Sequence, residues 1–159
     1  MRIRPAVPGD AAGLCGILND IIAAGGTTAH RRPFDAARLR RHYMAPPLGI
    51  SCVVAEVGGV LTGFQSLEWC DPDWDGPGKL PADWAVVATF VDARRQGQGI
   101  GGRLFEATLA AAHAAGVVAI DATIRRENAG GLVYYSRMGF AEHRSDAERV
   151  SKKLDVPVE

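Results

Sequence analysis

The stretch Arg94-Arg-Gln-Gly-Gln-Gly-Ile-Gly-Gly-Arg-Leu104 places glycine at 97, 99, 101 and 102, just ahead of a run with helical apolar spacing. A glycine-rich turn that opens a helix is suited to holding an anion. The first amides of a helix have no partner inside it, and the helix dipole is positive at that end. Glycine lets the backbone approach a ligand with no Cβ in the way. Phosphate is the ordinary occupant of such a turn. Which phosphate ester it suits depends on the residues around it.

Three templates share this spacing. Gly97-x-Gly99-x-x-Gly102 matches a dinucleotide fingerprint, Gly97 and Gly102 match a P-loop, and Gln96-x-x-Gly99-x-Gly101 matches the acyl-CoA pattern Q/R-x-x-G-x-G/A. A P-loop requires Lys and then Ser or Thr after its last glycine. Arg103 and Leu104 stand there instead, so the phosphate lysine and the Mg²⁺ hydroxyl are both missing. The dinucleotide reading gains from Asp121, which lies near the distance expected of a ribose-binding acid. It loses because Asp92 to Gln96 separate Val91 from the first glycine, where the strand should run almost directly into it. Only a short helix and a hairpin follow Ile124, where a second βα half would be needed. Asp121 is then a solvated or hydrogen-bonded strand residue. The acyl-CoA pattern fits in position as well as spacing. The amides of Gln96, Gly97, Gln98, Gly99, Ile100, Gly101 and Gly102 can surround a pyrophosphate with no metal ligand required. A Cβ at Gly99 or Gly101 is expected to meet that group or to break the turn.

The elements that must position this turn follow from periodicity and punctuation. "MRIRPA" reads as a short strand. Asp10 is placed to cap a helix carrying Leu14, Ile17, Leu18, Ile21 and Ile22, ended by Gly25-Gly26. Asp35 is placed to cap a second helix, with Phe34 and Leu39 as a hydrophobic staple and Pro46-Pro47 as its end. "ISCVVAEV", Gly58-Gly59 and "VLTGFQSLEW" read as a hairpin. Gly63 within its second strand marks a bulge or a close approach. A polar loop from Cys70 to Asp83 leads to the buried strand "WAVVATFV". The glycine turn then opens a helix running to about Ala115. "VVAIDATI" is another buried strand, "NAGGLVYYSRM" a short helix ending at Gly139, and "FAEHR" with "ERVSKKL" a closing antiparallel pair. The order β-α-α-β-β-β-α-β-α-β-β implies a single α/β domain, residues 1–159, with a mixed sheet.

Two stretches give this order a family. "V-x-x-x-x-Q-G-Q-G-I-G-x-x-L" resembles the acetyl-CoA pyrophosphate loop of the GNAT superfamily of N-acetyltransferases, and "N-A-x-x-L-x-Y-Y-x-x-M-G-F" resembles its second signature. "ILNDIIAAGGTTA" is similar to the first-helix region of the phosphinothricin acetyltransferase-like branch. The resemblance covers nearly the whole chain. It implies a mostly antiparallel sheet with a splayed central strand pair flanked by helices, acetyl-CoA as cosubstrate and no metal. It also implies a symmetric homodimer and a pantetheine arm lying along Thr89, Phe90 and Val91. Asn128 matches the residue that hydrogen-bonds the pantetheine or its adjacent backbone; helix capping is the other use of Asn there. Tyr135, four residues before Gly139, matches the family's general acid, a position that is often His in this branch. Tyr134 is expected to face elsewhere on the helix.

Acetyl transfer to an amine also needs a proton acceptor. Many family members carry a Glu on the fourth strand, but "WAVVATFV" has no acid in it. Glu68, at the end of the third strand where the cleft should open, is the candidate base, acting through one water. His30, His42, His113 and His143 match no catalytic register. The acceptor end is expected from the first two helices and the Cys70–Asp83 loop, where Asp71, Asp73 and Asp75 accompany Trp69 and Trp74 and could attract a cationic amine.

Composition narrows the function. The 159 residues carry 18 Lys+Arg and 18 Asp+Glu, so no basic surplus argues for nucleic acid or an acidic membrane. No apolar run approaches a membrane span or a signal-peptide core. Cys15, Cys52 and Cys70 have neither disulfide-framework nor zinc spacing and are expected to pack as small apolar residues in a reducing cytoplasm. The reading is a cytoplasmic acetyl-CoA-dependent N-acetyltransferase acting on the primary amine of a small molecule, an amino acid or its analogue. Acetylation of a protein N-terminus or lysine, a non-catalytic CoA-binding module, and a nucleotide-binding oxidoreductase are the alternatives.

Overall fold

In the computed structural model, which describes residues 1–157, the chain follows the expected order. It runs β1 (Arg2–Pro5), α1 (Ala11–Ala24), α2 (Ala36–Leu39), β2 (Gly49–Val57), β3 (Val60–Trp69), β4 (Trp84–Val91) and α3 (Ile100–Ala115), then β5 (Ala119–Arg125), α4 (Ala129–Arg137), β6 (Ala141–Ser145) and β7 (Arg149–Asp155). The strands form one sheet in the order β1-β2-β3-β4-β5-β7-β6. Every neighbouring pair is antiparallel except β4 and β5, which α3 joins as a parallel crossover.

That parallel pair makes the cleft. β4 pairs with β3 as far as Val91, but with β5 only at Trp84–Val86 opposite Ala119–Asp121. Beyond Val86, β4 has an edge that no strand covers, which is the expected splay. Leu14, Leu18, Leu39, Tyr43, Phe64 and Phe90 pack together between the sheet and α1–α2. Leu67, Val87, Phe105, Ile120 and Tyr135 pack on the other face, against α3 and α4. The two helix layers hold the splay from both sides. All three cysteines are free and buried, Cys15 and Cys52 in the α1–α2 core.

Local devices account for the boundaries. Gly58 and Gly59 both have positive φ, +59° and +78°, as a tight hairpin turn requires. Gly63 is next to a bulge and at a close approach. The β2–β3 register shifts between Ala55 and Glu56, and a Cβ on Gly63 would stand 3.0 Å from the Phe90 carbonyl oxygen. Asp35 caps α2 as expected, accepting from the Arg38 amide at 2.7 Å. Phe34 and Leu39 are both buried in the α1–α2 core. The second helix is shorter than a regular one, because after Leu39 the chain passes into a π turn, Arg40–Met44.

Asp10 differs from expectation. It makes no side-chain cap to α1. Pro8 begins a short 3₁₀ turn before the helix, and the Asp10 carboxylate accepts from the Val7 amide at 2.8 Å and from the Arg4 guanidinium at 2.8 and 2.9 Å. The guanidinium holds the Asp10 pKa below the usual carboxylate value, and burial opposes it. Arg4 also donates to Glu56 across β1–β2.

Candidate active site at the splay

The glycine turn lies between the end of β4 and the start of α3. Asp92 closes a 3₁₀ turn over Ala93–Arg95 by accepting from the Arg94 amide. Gly97 and Gly99 then have φ of +80° and +76°, a conformation other residues rarely adopt. Gly99 is the N-cap of α3, and the first intrahelical bond runs from the Arg103 amide to the Gly99 carbonyl. The amides of Gly99, Ile100, Gly101 and Gly102 therefore have no intrahelical acceptor. The Ile100 side chain is buried and pins this end of the helix to the sheet. A Cβ on Gly97, Gly99 or Gly102 would meet nothing within 4 Å, so the turn presents open backbone. Gly101 is different: its Cβ would lie 2.7 Å from Cε1 of Tyr134. A neighbouring aromatic ring, as well as any ligand, requires glycine at 101.

Both tyrosines of α4 turn toward the splay. Tyr135 is buried, and its hydroxyl lies 2.8 Å from Thr89 Oγ1 on the uncovered reach of β4. Burial is the largest cause raising its phenol pKa well above the ordinary value. Tyr134 does not face away from this site. Its hydroxyl donates to the Gly101 carbonyl at 2.8 Å and receives a bond from Gln65 Nε2 at 3.1 Å. Gln65 Nε2 also donates to Thr89 Oγ1 at 2.8 Å. One network thus joins the glycine turn, β3, β4 and both phenols. Phe90 offers only backbone to the cleft, since its ring packs in the α1–α2 core. Gln96 makes one long bond, to the Val91 carbonyl at 3.5 Å. Asn128 caps α4 by accepting from the Gly131 amide at 2.9 Å and donates to the Thr27 carbonyl at 3.3 Å.

On the opposite face of the sheet, Glu68 pairs in register with Val86, which pairs with Asp121. Three strands thus bring Glu68, Val86 and Asp121 into one row at the apex of the splay, with their side chains on the α1–α2 side. Glu68 is half-buried, and burial raises its carboxyl pKa. It lines a cavity of about 440 Å³ with Pro47, Leu48, Asp71 and Asp73. A second cavity, about 520 Å³, lies between Trp74 and Leu80 of the Cys70–Asp83 loop and Asp121, Thr123 and Arg144. Asp121 is buried and hydrogen-bonded, the role left to it once the dinucleotide reading failed: His143 Nε2 and Thr123 Oγ1 both reach its carboxylate. His30 Nε2 pairs with the Tyr43 hydroxyl inside a cluster with Phe34 and His42. Burial lowers the pKa of both His30 and His42.

Comparison with known proteins fits this geometry. The sequence profile of the acetyltransferase (GNAT) domain matches residues 49–142, more than half of the chain. The chain belongs to the GNAT acetyltransferase family. It is 28% identical over 150 residues to phosphinothricin N-acetyltransferase of Streptomyces viridochromogenes, covering 88% of this chain and 74% of that one. Among solved structures, a GCN5-related N-acetyltransferase from Kribbella flavida superposes with a TM-score of 0.80 at 21% identity, covering 97% and 96% of the two chains. The yncA protein of Salmonella typhimurium, solved with its cofactor acetyl-CoA, does so with a TM-score of 0.79 at 21% identity, covering 100% and 95%.

For a GNAT acetyltransferase the acyl donor is acetyl-CoA, and the α3 turn suits it: amides without an intrahelical acceptor, a positive helix end, and open backbone at Gly97, Gly99 and Gly102. Sequence reasoning did not single out Gln65, faced Tyr134 away from the site, and did not name His143 as the partner of Asp121. Gln65 carried a signal, a lone amide inside the apolar strand "VLTGFQSLEW", but its partner Tyr134 lies 69 positions away in the chain. No helix of the described residues is long and apolar enough to cross a membrane.

Proposed function

We propose that this acetyltransferase moves the acetyl group of acetyl-CoA to the primary amine of a small molecule, an amino acid or amino-acid analogue. The likeness to phosphinothricin N-acetyltransferase supports that acceptor class. The observation that carries the mechanism is the placement of the Tyr135 hydroxyl against Thr89, on the one stretch of β4 that β5 leaves uncovered. Acetyl-CoA supplies an acetyl group activated as a thioester. The free amides at the start of α3 bind its pyrophosphate, and the open edge of Thr89–Val91 receives the pantetheine amides, with Asn128 beside them. Glu68 accepts the acceptor's ammonium proton through a water, from the opposite face. Its raised pKa brings it nearer to neutral pH than an exposed carboxylate. The amine forms the C–N bond as the C–S bond breaks, Tyr135 gives its proton to the departing sulfur, and the second proton shed by the new amide nitrogen restores the phenol. The buried Tyr135 phenol remains protonated at neutral pH, which an acid requires. In this reading the enzyme works in the cytoplasm as a homodimer, each chain acting as one domain.

Tyr135→Phe tests the reading. General acid catalysis contributes about 10²–10⁴-fold, so kcat on a good acceptor falls within that range while acetyl-CoA affinity changes little. Full kcat in a folded Tyr135→Phe protein removes Tyr135 from the chemistry. A panel of amines and amino acids with free-thiol detection identifies the acceptor, and mass by light scattering checks the dimer.

A further inference from the structure

We propose that Gln65 and Tyr134 are positioning residues that set the direction of the hydrogen bonds around Tyr135, so that its phenolic proton points into the cleft. This rests on the assignment of Tyr135 as the acid. The directions follow from what each group can do. The Gly101 carbonyl can only accept, so the single proton of Tyr134 goes to it, across 2.8 Å. The Tyr134 oxygen is then an acceptor toward Gln65, so the side-chain atom of Gln65 facing it at 3.1 Å must be the amide nitrogen. The same nitrogen has a second proton, which lies 2.8 Å from Thr89 Oγ1. Thr89 accepts from Gln65, and its own proton is free to go to the Tyr135 oxygen at 2.8 Å, the direction we assign to that bond. Tyr135 receives that bond. Its own proton is not engaged by Thr89 and is available to a group in the cleft.

The opposite arrangement is excluded by counting. With the Gln65 amide turned over, its oxygen and the Gly101 carbonyl would both ask for the one Tyr134 proton, and its NH₂ would face neither phenol nor threonine. The orientation observed leaves Gln65 Oε1 buried without a partner, in a side chain with no solvent exposure. An orphaned buried acceptor is unfavourable, so the two donor bonds on the other end of the amide hold the side chain in place. The network starts at Gly101 in the cofactor turn and ends at Tyr135. The element that binds the pyrophosphate therefore also orients the acid.

The test is a double-mutant cycle with a spectroscopic arm. Gln65→Met keeps the volume and removes both donors, and Thr89→Val removes the hydroxyl that Thr89→Ser retains. A lost directional bond of ordinary strength predicts a fall in kcat of about three- to tenfold for Gln65→Met and Thr89→Val, and Thr89→Ser, which restores the hydroxyl, should recover kcat relative to Thr89→Val. Acetyl-CoA dissociation constants should stay within about twofold. In a Tyr135→Phe background Gln65→Met should cost nothing further, because it acts only through the phenol. In the ligand-free protein labelled with ¹³Cζ-tyrosine, the Tyr135 resonance should move in Gln65→Met and Thr89→Val and stay in place in Thr89→Ser. Additive loss in the Tyr135→Phe background, or a Tyr135 resonance unmoved by Gln65→Met, overturns the proposal. If Tyr135→Phe alone retains full kcat, the acid assignment is what fails, and the resonances still report the bond direction.

Discussion

Adjacent glycines at the start of α3 should respond to the same substitution in opposite directions. In Gly101→Ala the new methyl lies 2.7, 3.2 and 3.3 Å from Cε1, Cζ and Cδ1 of Tyr134, against an ordinary carbon separation of roughly 3.5–4.0 Å. The ring has little freedom to move: its hydroxyl is bonded to Gly101 and Gln65, and it meets the Tyr135 ring in a T-shaped contact with centroids 4.8 Å apart. Overpacking of this kind costs about 1–3 kcal/mol, partly offset by the roughly 0.5–1 kcal/mol that alanine gains over glycine inside a helix. The net loss is up to about 2.5 kcal/mol, or up to some 5–10 °C in Tm for a chain of this length. Gly102→Ala meets nothing within 4 Å and has no positive φ to oppose it, so it gains about 0.5–1 kcal/mol and raises Tm by about 1–4 °C. It keeps the amide proposed to bind phosphate, so in that reading acetyl-CoA affinity should hold. Thermal unfolding with and without acetyl-CoA reads both quantities. Equal stability of the two variants would refute the packing argument, and loss of acetyl-CoA binding by Gly102→Ala would refute binding through amides alone.

Other consequences follow from the carboxylates, imidazoles and caps. Glu68→Gln should lower kcat yet raise Tm at pH 7: burial raises the folded-state pKa, so ionised Glu68 opposes folding above the ordinary carboxylate range, and amide replacement removes that cost. A drop in Tm would show that Glu68 makes a favourable contact instead. His30 and His42 are held below their ordinary pKa by burial, so the unfolded chain takes up more protons as pH falls through about 6.5. Stability present above that pH should then drain away on acidification, and His42→Gln should flatten the Tm-against-pH curve between pH 7 and 5. Asn128→Ala should cost about 1 kcal/mol from the lost cap of α4, whereas Asn128→Asp keeps the cap and loses only the donor to Thr27, as thermal unfolding of the pair can tell.

The element order was legible because glycine and proline punctuate it. Gly25-Gly26, Pro46-Pro47, Gly58-Gly59, Gly116 and Gly139 each fall at an end or turn that the structure uses, four of them with positive φ at the closing residue. The parallel β4–β5 pair was legible from the glycine turn and α3 between them, since a parallel pair needs such a crossover. The role of Asp10 was not. A carboxylate before an apolar helix reads as a cap, but Arg4, on a neighbouring strand, and Pro8 draw it into a different turn. Capping logic is local, and a cation brought in by tertiary structure overrides it.

The site divides along the same line. The turn proposed to hold the anion is contiguous, so Gln96 to Gly102 could be singled out directly, and Tyr135, the proposed acid, from its distance to Gly139. Gly101 could be read as necessary, but part of the reason lay elsewhere: the ring that excludes a side chain there belongs to Tyr134, 33 positions later in the chain. Two adjacent tyrosines on a helix point about 100° apart, which makes one of them appear irrelevant to any single site. Gln65 removes that separation by donating toward both hydroxyls, directly to one and through Thr89 to the other. A residue whose function is to join two others has no pattern of its own in the chain. Its visible trace is a side chain at odds with its surroundings, here an amide with no solvent exposure in the middle of an apolar strand. Burying such a group is unfavourable unless it is bonded, so a polar residue at a core-facing strand position marks a place where the fold has brought a partner that the sequence alone does not name.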